Sequence, residues 1–155
     1  MSDLLRHTLA TLAYRGGKAV RNVPSGFSGF RAAPGSRSAG EILAHVCDLL
    51  DWAVSTVRGA QRWQDTPPRD WNLDVARFFE ALATLDTALT SGMAPGVSEQ
   101  QIFQGPIADA LTHVGQIALL RRLAGAPVRG ENYLKAEIVT GRIGPSQAAP
   151  VYEFD

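Results

Sequence analysis

A chain of 155 residues suffices for one domain with a substantial core, and 45% hydrophobic with 19% charged residues is ordinary for a soluble globular protein, which argues against a disordered or fibrous chain. Its 15 basic and 15 acidic side chains cancel, and neither the arginines nor the aromatics form a nucleic-acid module or a stacking platform, so no nucleic acid is expected as a partner. No apolar run approaches the ~18 residues that cross a bilayer, and Arg6 and His7 interrupt any signal-peptide core, so the expected setting is cytoplasmic with no membrane partner.

In chain order, Leu4, Leu5, Leu9, Leu12 and Ala13 recur at helical spacing and predict a first helix that weakens at Gly16-Gly17 and ends before Pro24. A glycine-rich connection follows to Gly40, and Ser38-Ala39-Gly40-Glu41 reads as a capping box that opens a second helix running to about Gly59. Pro67-Pro68 marks a turn before a third helix from Asp70 to Leu89, closed by Ser91-Gly92 and Pro95-Gly96. A fourth helix is expected from Gln104 to Leu123, stopping at Gly125-Ala126-Pro127. The fold class is therefore all-α, a four-helix bundle forming a single domain over 1–155, with the bundle at about 3–124 and an irregular tail at about 125–155. Short links favour antiparallel neighbours, while the long first connection permits a crossover. Cys47 stands alone, which rules out an intrachain disulfide, and its place two residues from His45 makes it a packing residue.

The chemistry-bearing segment is Asp109-Ala110-Leu111-Thr112-His113-Val114-Gly115-Gln116, where a carboxylate and an imidazole four residues apart share one helix face. The same stripe continues to Leu120 and Leu123, so it is expected to point inward. His45, flanked at helical spacing by Ile42, Leu49 and Trp52, is expected to face the core from the second helix. Buried polar groups need hydrogen bonds, opposite charge or a cation. A divalent metal held by His45, Asp109 and His113 meets that need, at coordination distances of roughly 2.0–2.2 Å. Taken singly, a histidine on an apolar face is more often a hydrogen-bonded core residue, and Asp109 could sit at a helix start behind Gly105-Pro106. The joint pattern favours the metal.

A histidine early on the second helix, followed much later by an i, i+4 ligand pair running into Gly115-Gln116-Ile117, resembles the DinB-like superfamily of metal-binding four-helix bundles, and the likeness covers most of the chain. The superfamily's usual set is three histidines, so Asp109 is the departure; a carboxylate there suits zinc, iron or manganese, with nickel also a candidate cofactor. The resemblance implies that the second and fourth helices bring their ligands together, and that the activity is a thiol-dependent transfer or isomerisation rather than simple hydrolysis.

Asp48, three residues after His45, could support its imidazole, replace Asp109 as the carboxylate ligand, or simply face solvent, and Gln116 could hold a water or support a helix contact. Gly115 is read as a point of close helix approach, and Trp52, Trp63 and Trp71 as core or rim aromatics. Between Leu4 and Gly40 the charged residues are Arg6, Arg15, Lys18, Arg21, Arg31 and Arg37, with no acid among them; they read as a solvated face, or as a field that attracts an anionic small-molecule substrate or a carboxylate-bearing thiol. Arg121 and Arg122 suit a helix C-terminus, with substrate binding as the alternative. In the tail, Tyr133 and Glu131 could approach the site, cover one end of the bundle or meet a second subunit, and a homodimer is the expected assembly. Two functions follow: a metal-dependent enzyme that activates water or a low-molecular-weight thiol, or a non-catalytic dimeric bundle whose polar triad is a structural metal site or a hydrogen-bonded network acting in binding.

Overall fold

The structure, a computed structural model, describes residues 3–155; Met1 and Ser2 of the expected domain lie outside the described residues. It is all-α apart from one two-stranded ribbon. Helix α1 (Asp3–Val20) buries Leu5, Leu9, Leu12 and Ala13 along one stripe. Gly16 and Gly17 do not weaken it, because they lie inside the helix where α3 comes closest. A Cβ added to Gly16 would sit 2.6 Å from the Phe78 ring, and one on Gly17 would lie 3.4 Å from Phe79. The missing side chains admit an aromatic pair whose rings pack edge-to-face at 5.0 Å.

The end of α1 is capped from a distance. The buried guanidinium of Arg121 donates to the carbonyls of Ala19 and Arg21 at 3.1 and 2.6 Å and to Asn22 at 3.3 Å, satisfying carbonyls that a helix C-terminus leaves open. Arg121 is therefore a structural cap for a neighbouring helix, while Arg122 stays exposed. Segment 21–38 then crosses the assembly, pinned by buried Phe27, against which Trp71 packs edge-on at 5.4 Å.

Helix α2 (Ala39–Val57) starts at the expected capping box, with the Ser38 side chain accepting from the Glu41 N–H and the Glu41 carboxylate accepting from the Ser38 N–H. Helix α3 (Trp71–Ser91) is capped by Asp70, whose carboxylate accepts from Asn72. The last helical stretch begins earlier than Gln104: α4 (Glu99–Ile102) opens at a second capping box, Ser98 with Gln101. It passes through a π-turn (Phe103–Ile107) and continues as α5 (Ala108–Leu123). Pro106 lacks the N–H that would extend the ordinary ladder, and the Ala108 N–H reaches back five residues to the Phe103 carbonyl. An extra residue in a helix turns everything downstream by about 100°. Gly105-Pro106 is thus a re-phasing point within one helix, and Asp109 lies well past the helix start.

Helix α2 packs against α3 and α5, and α1 packs against the same two, so α1 and α2 are diagonal and the first connection is a crossover. One core runs between them, with Leu9, Leu12, Leu43, Leu50, Leu82, Leu85 and Ile117 fully enclosed. Among the described residues, no helix is long and apolar enough to cross a membrane.

The tail runs along α1 and returns. Glu131 and Glu153 both pair with Lys18, at 2.8 and 3.0 Å, and Tyr14 donates to Glu131. Strand β1 (Gly130–Glu131) lies antiparallel to β2 (Glu153–Phe154), bringing the two carboxylates to the same ammonium. Burial works against the Lys18 charge, but the two carboxylates outweigh it and raise its pKa; burial, then Glu131, also raises that of Tyr14. Arg15 stacks over Tyr133 at 4.2 Å, and Thr140 meets His7 near the start of α1. Tyr133 and Glu131 therefore fasten the tail to the helix diagonal to α2 and do not reach the candidate ligands.

Candidate metal centre

Helices α2 and α5 share a seam, and it brings His45, Asp109 and His113 together: one ligand atom from each can be chosen so that all lie within 4.8 Å of one another. The Asp109 carboxylate lies between the rings, with Oδ2 3.7 Å from His45 Nε2 and Oδ1 3.2 Å from His113 Nδ1. The imidazole centroids are 4.6 Å apart, inclined at 60°.

These residues lie at the edge of the core and not within it. The side chains of His45 and His113 are 16% and 12% exposed, and that of Asp109 46%. The reason is one of phase: the enclosed stripe of α5 is Ala110, Val114, Ile117 and Leu120, one residue round from Asp109, His113 and Gln116. Gln116 is exposed and Leu123 is 55% exposed, which corrects the expectation that this stripe points inward. The consequence favours chemistry, since ligands at a rim can be reached from solvent.

The hydrogen bonds select the available nitrogens. His113 Nδ1 lies 2.8 Å from the backbone carbonyl of Asp109. A carbonyl oxygen can only accept, so Nδ1 carries the proton and Nε2 keeps a free lone pair. Holding a ligand imidazole through its other N–H on a backbone carbonyl is the usual way to orient a metal-binding histidine. Burial, followed by the charges of Arg37 and His113, holds the pKa of His45 below its ordinary 6.5 and favours the neutral, donor form, although Asp109 works in the opposite direction.

Asp48 supports neither imidazole and does not replace Asp109. Its side chain is 2% exposed. Its oxygens accept from Arg77 Nη2 at 2.6 Å, from the Thr66 N–H at 2.8 Å and from the Thr66 hydroxyl at 2.7 Å. It ties the 58–70 connection and α3 to α2, which positions Trp63. That indole stands edge-on to His45 at 5.6 Å and to Trp52 at 6.0 Å, so Trp63 walls the site as a rim aromatic, whereas Trp71 packs on Phe27. The Gln116 side chain makes no hydrogen bond among the described residues. A Cβ on Gly115 would meet nothing within 4 Å, so this glycine marks no close helix approach. Cys47 is fully enclosed, and burial pushes its thiol up to about 12, which makes it a packing residue.

Sequence reading gave no special place to Arg37. It lines two clefts, one also lined by His45 and the other by His113. The available signal was its position directly before the Ser38 cap, which puts it at the helix end that carries His45.

The chain matches no protein-family model, no curated protein and no solved structure.

Proposed function

We propose that this protein is a metal-dependent enzyme of DinB-like four-helix-bundle architecture, with a divalent ion held by His45, Asp109 and His113. The observation that carries the reading is the approach of two imidazoles and one carboxylate, from two helices, at a rim open to solvent. Ligand atoms about 2.1 Å from a tetrahedrally coordinated ion lie roughly 3.4 Å apart, and the 3.7 Å between His45 Nε2 and Asp109 Oδ2 is close to that. The donor set of two imidazoles and one carboxylate suits zinc, iron, manganese or nickel.

An ion there would supply Lewis acidity, lowering the pKa of a water or thiol that reaches it. The roles of the chain's own groups follow from their positions. The Asp109 carbonyl orients His113 through Nδ1, the Asp109 carboxylate places negative charge between the rings, and Trp63 with Trp52 excludes water on one side. The resemblance to the DinB-like superfamily supports thiol-dependent transfer or isomerisation as the reaction class.

Chelation separates this reading from a structural metal site. Dialysis of the zinc- or nickel-loaded protein against a strong chelator should abolish turnover in a screen of thiol-dependent transfers while leaving the midpoint of thermal unfolding within a few degrees. A large fall in that midpoint, with no activity before or after, would favour the structural site.

A further inference from the structure

The two clefts beside the ligands differ in charge. The first, about 410 Å³, sets Arg37 opposite the acids Glu41, Asp48 and Asp65 beside His45, with Glu41 paired to Arg31 and Asp48 to Arg77. The second, about 350 Å³, contains no acid: His113 lies in its wall, Ile42, Leu119 and Leu120 supply apolar surface, and Arg37 and Gln116 are its larger polar groups. Its volume is at the small end of the range for ligand pockets.

Among the described residues, Arg21 and Arg37 are the cations of the acid-free run whose side chains make no ion pair, hydrogen bond or ring contact, and of the two it is Arg37 that lines the clefts beside the candidate ligands. Arg6 pairs with Asp86, Lys18 with Glu131 and Glu153, and Arg31 with Glu41, while Arg15 stacks on Tyr133. Arg37 makes no ion pair among the described residues, and neither it nor Gln116 forms a side-chain hydrogen bond there. A guanidinium fork and a carboxamide, both open, thus stand over apolar surface next to a candidate metal ligand. Guanidinium binds a carboxylate through two parallel hydrogen bonds, and an alkyl chain gains affinity by covering apolar side chains.

We propose that the acid-free cleft binds an aliphatic carboxylate, its anionic head on Arg37 and Gln116 and its chain on Ile42, Leu119 and Leu120. This deepens the enzyme reading and rests on it for where such a molecule would react, although the binding itself uses no ion.

The test is a titration of the full chain, carbon-13 labelled at Ile and Leu methyls, with hexanoate, hexanol and hexylammonium, in zinc-free and zinc-incubated samples. Hexanoate should shift the Ile42, Leu119 and Leu120 methyls saturably, at least about tenfold more tightly than hexanol, with hexylammonium weakest. Affinity should rise about two- to fourfold per methylene from butanoate to hexanoate. Because Arg37 is exposed, Arg37→Gln should leave the amide spectrum folded while erasing the preference for hexanoate over hexanol, and Arg37→Lys should restore part of it. Equal binding of hexanoate and hexanol, or indifference to Arg37→Gln, overturns the proposal. So does a response seen only with zinc and unaffected by Arg37, which would assign the carboxylate to the ion. Hexanoate binding in a protein that takes up no zinc would sink the metal reading alone, whereas zinc uptake without a hexanoate response would sink this one alone.

Discussion

Glu41 closes the Ser38 capping box and also accepts from Arg31 at 2.7 Å, and these two partners, the Ser38 backbone first, hold its carboxyl down to about 2 from an ordinary 4.5. A carboxyl depressed on folding contributes stability that is fully present above about pH 4.5 and is lost as the pH falls through about 2. Glu41→Gln should therefore be less stable than the parent at pH 7, with the difference shrinking steadily between pH 4.5 and 2 in urea denaturation. A difference that stays constant across that range would show that the charge contributes nothing. The capping box was legible in sequence because it is a local spacing rule. The Asp48 network was not: Arg77 lies 29 residues away and Thr66 sits in an irregular connection, so only the packing of α2 against α3 reveals that this carboxylate is already occupied.

At the scale of elements, the Gly16-Gly17 pair shows how a local rule misleads. Two consecutive glycines weaken an isolated helix, by up to about 1 kcal/mol each relative to alanine, yet here they admit Phe78 and Phe79. Gly16→Ala should accordingly destabilise the protein by about 1–3 kcal/mol despite its better propensity, because overpacking outweighs the helix term. Chemical denaturation measures this directly, and a gain in stability would mean that the Phe78 ring moves aside freely. The final helix offers the converse case. The helix expected from Gln104 in fact begins at the Ser98–Gln101 capping box and runs through Gly105-Pro106 without a break. A π-turn that absorbs a proline needs the packing of both flanks, here with Gly105 lying against the Trp52 indole, and no single-residue preference signals it.

For the whole molecule, the helical periods of α1, α2 and α3 were legible, since each depends on apolar spacing, whereas the first connection left crossover and antiparallel neighbours both open and spacing alone could not bring His45 to Asp109 and His113. The phase of the candidate ligands was not legible, because facing the core and flanking it differ by one residue on a helix. The tail was also closed to sequence reading: its attachment relies on Lys18 receiving Glu131 and Glu153 from segments more than 110 residues on. Glu131 is enclosed, so Glu131→Ala leaves a buried ammonium with one remaining carboxylate and should cost about 3–5 kcal/mol. Because this clasp lies on α1, away from the ligands, the variant should take up metal like the parent while it remains folded. Loss of metal uptake in a folded Glu131→Ala protein would contradict the separation of tail and site.

The metal centre is tested by its stoichiometry, measured by inductively coupled plasma mass spectrometry on protein purified without an affinity tag and incubated with zinc, nickel, manganese or ferrous iron. A metal held by His45, Asp109 and His113 should appear as one equivalent in the parent, with uptake abolished in His113→Ala and strongly reduced in Asp109→Ala, both still helical by circular dichroism. A folded parent that retains no metal from any of the four ions would contradict such a centre.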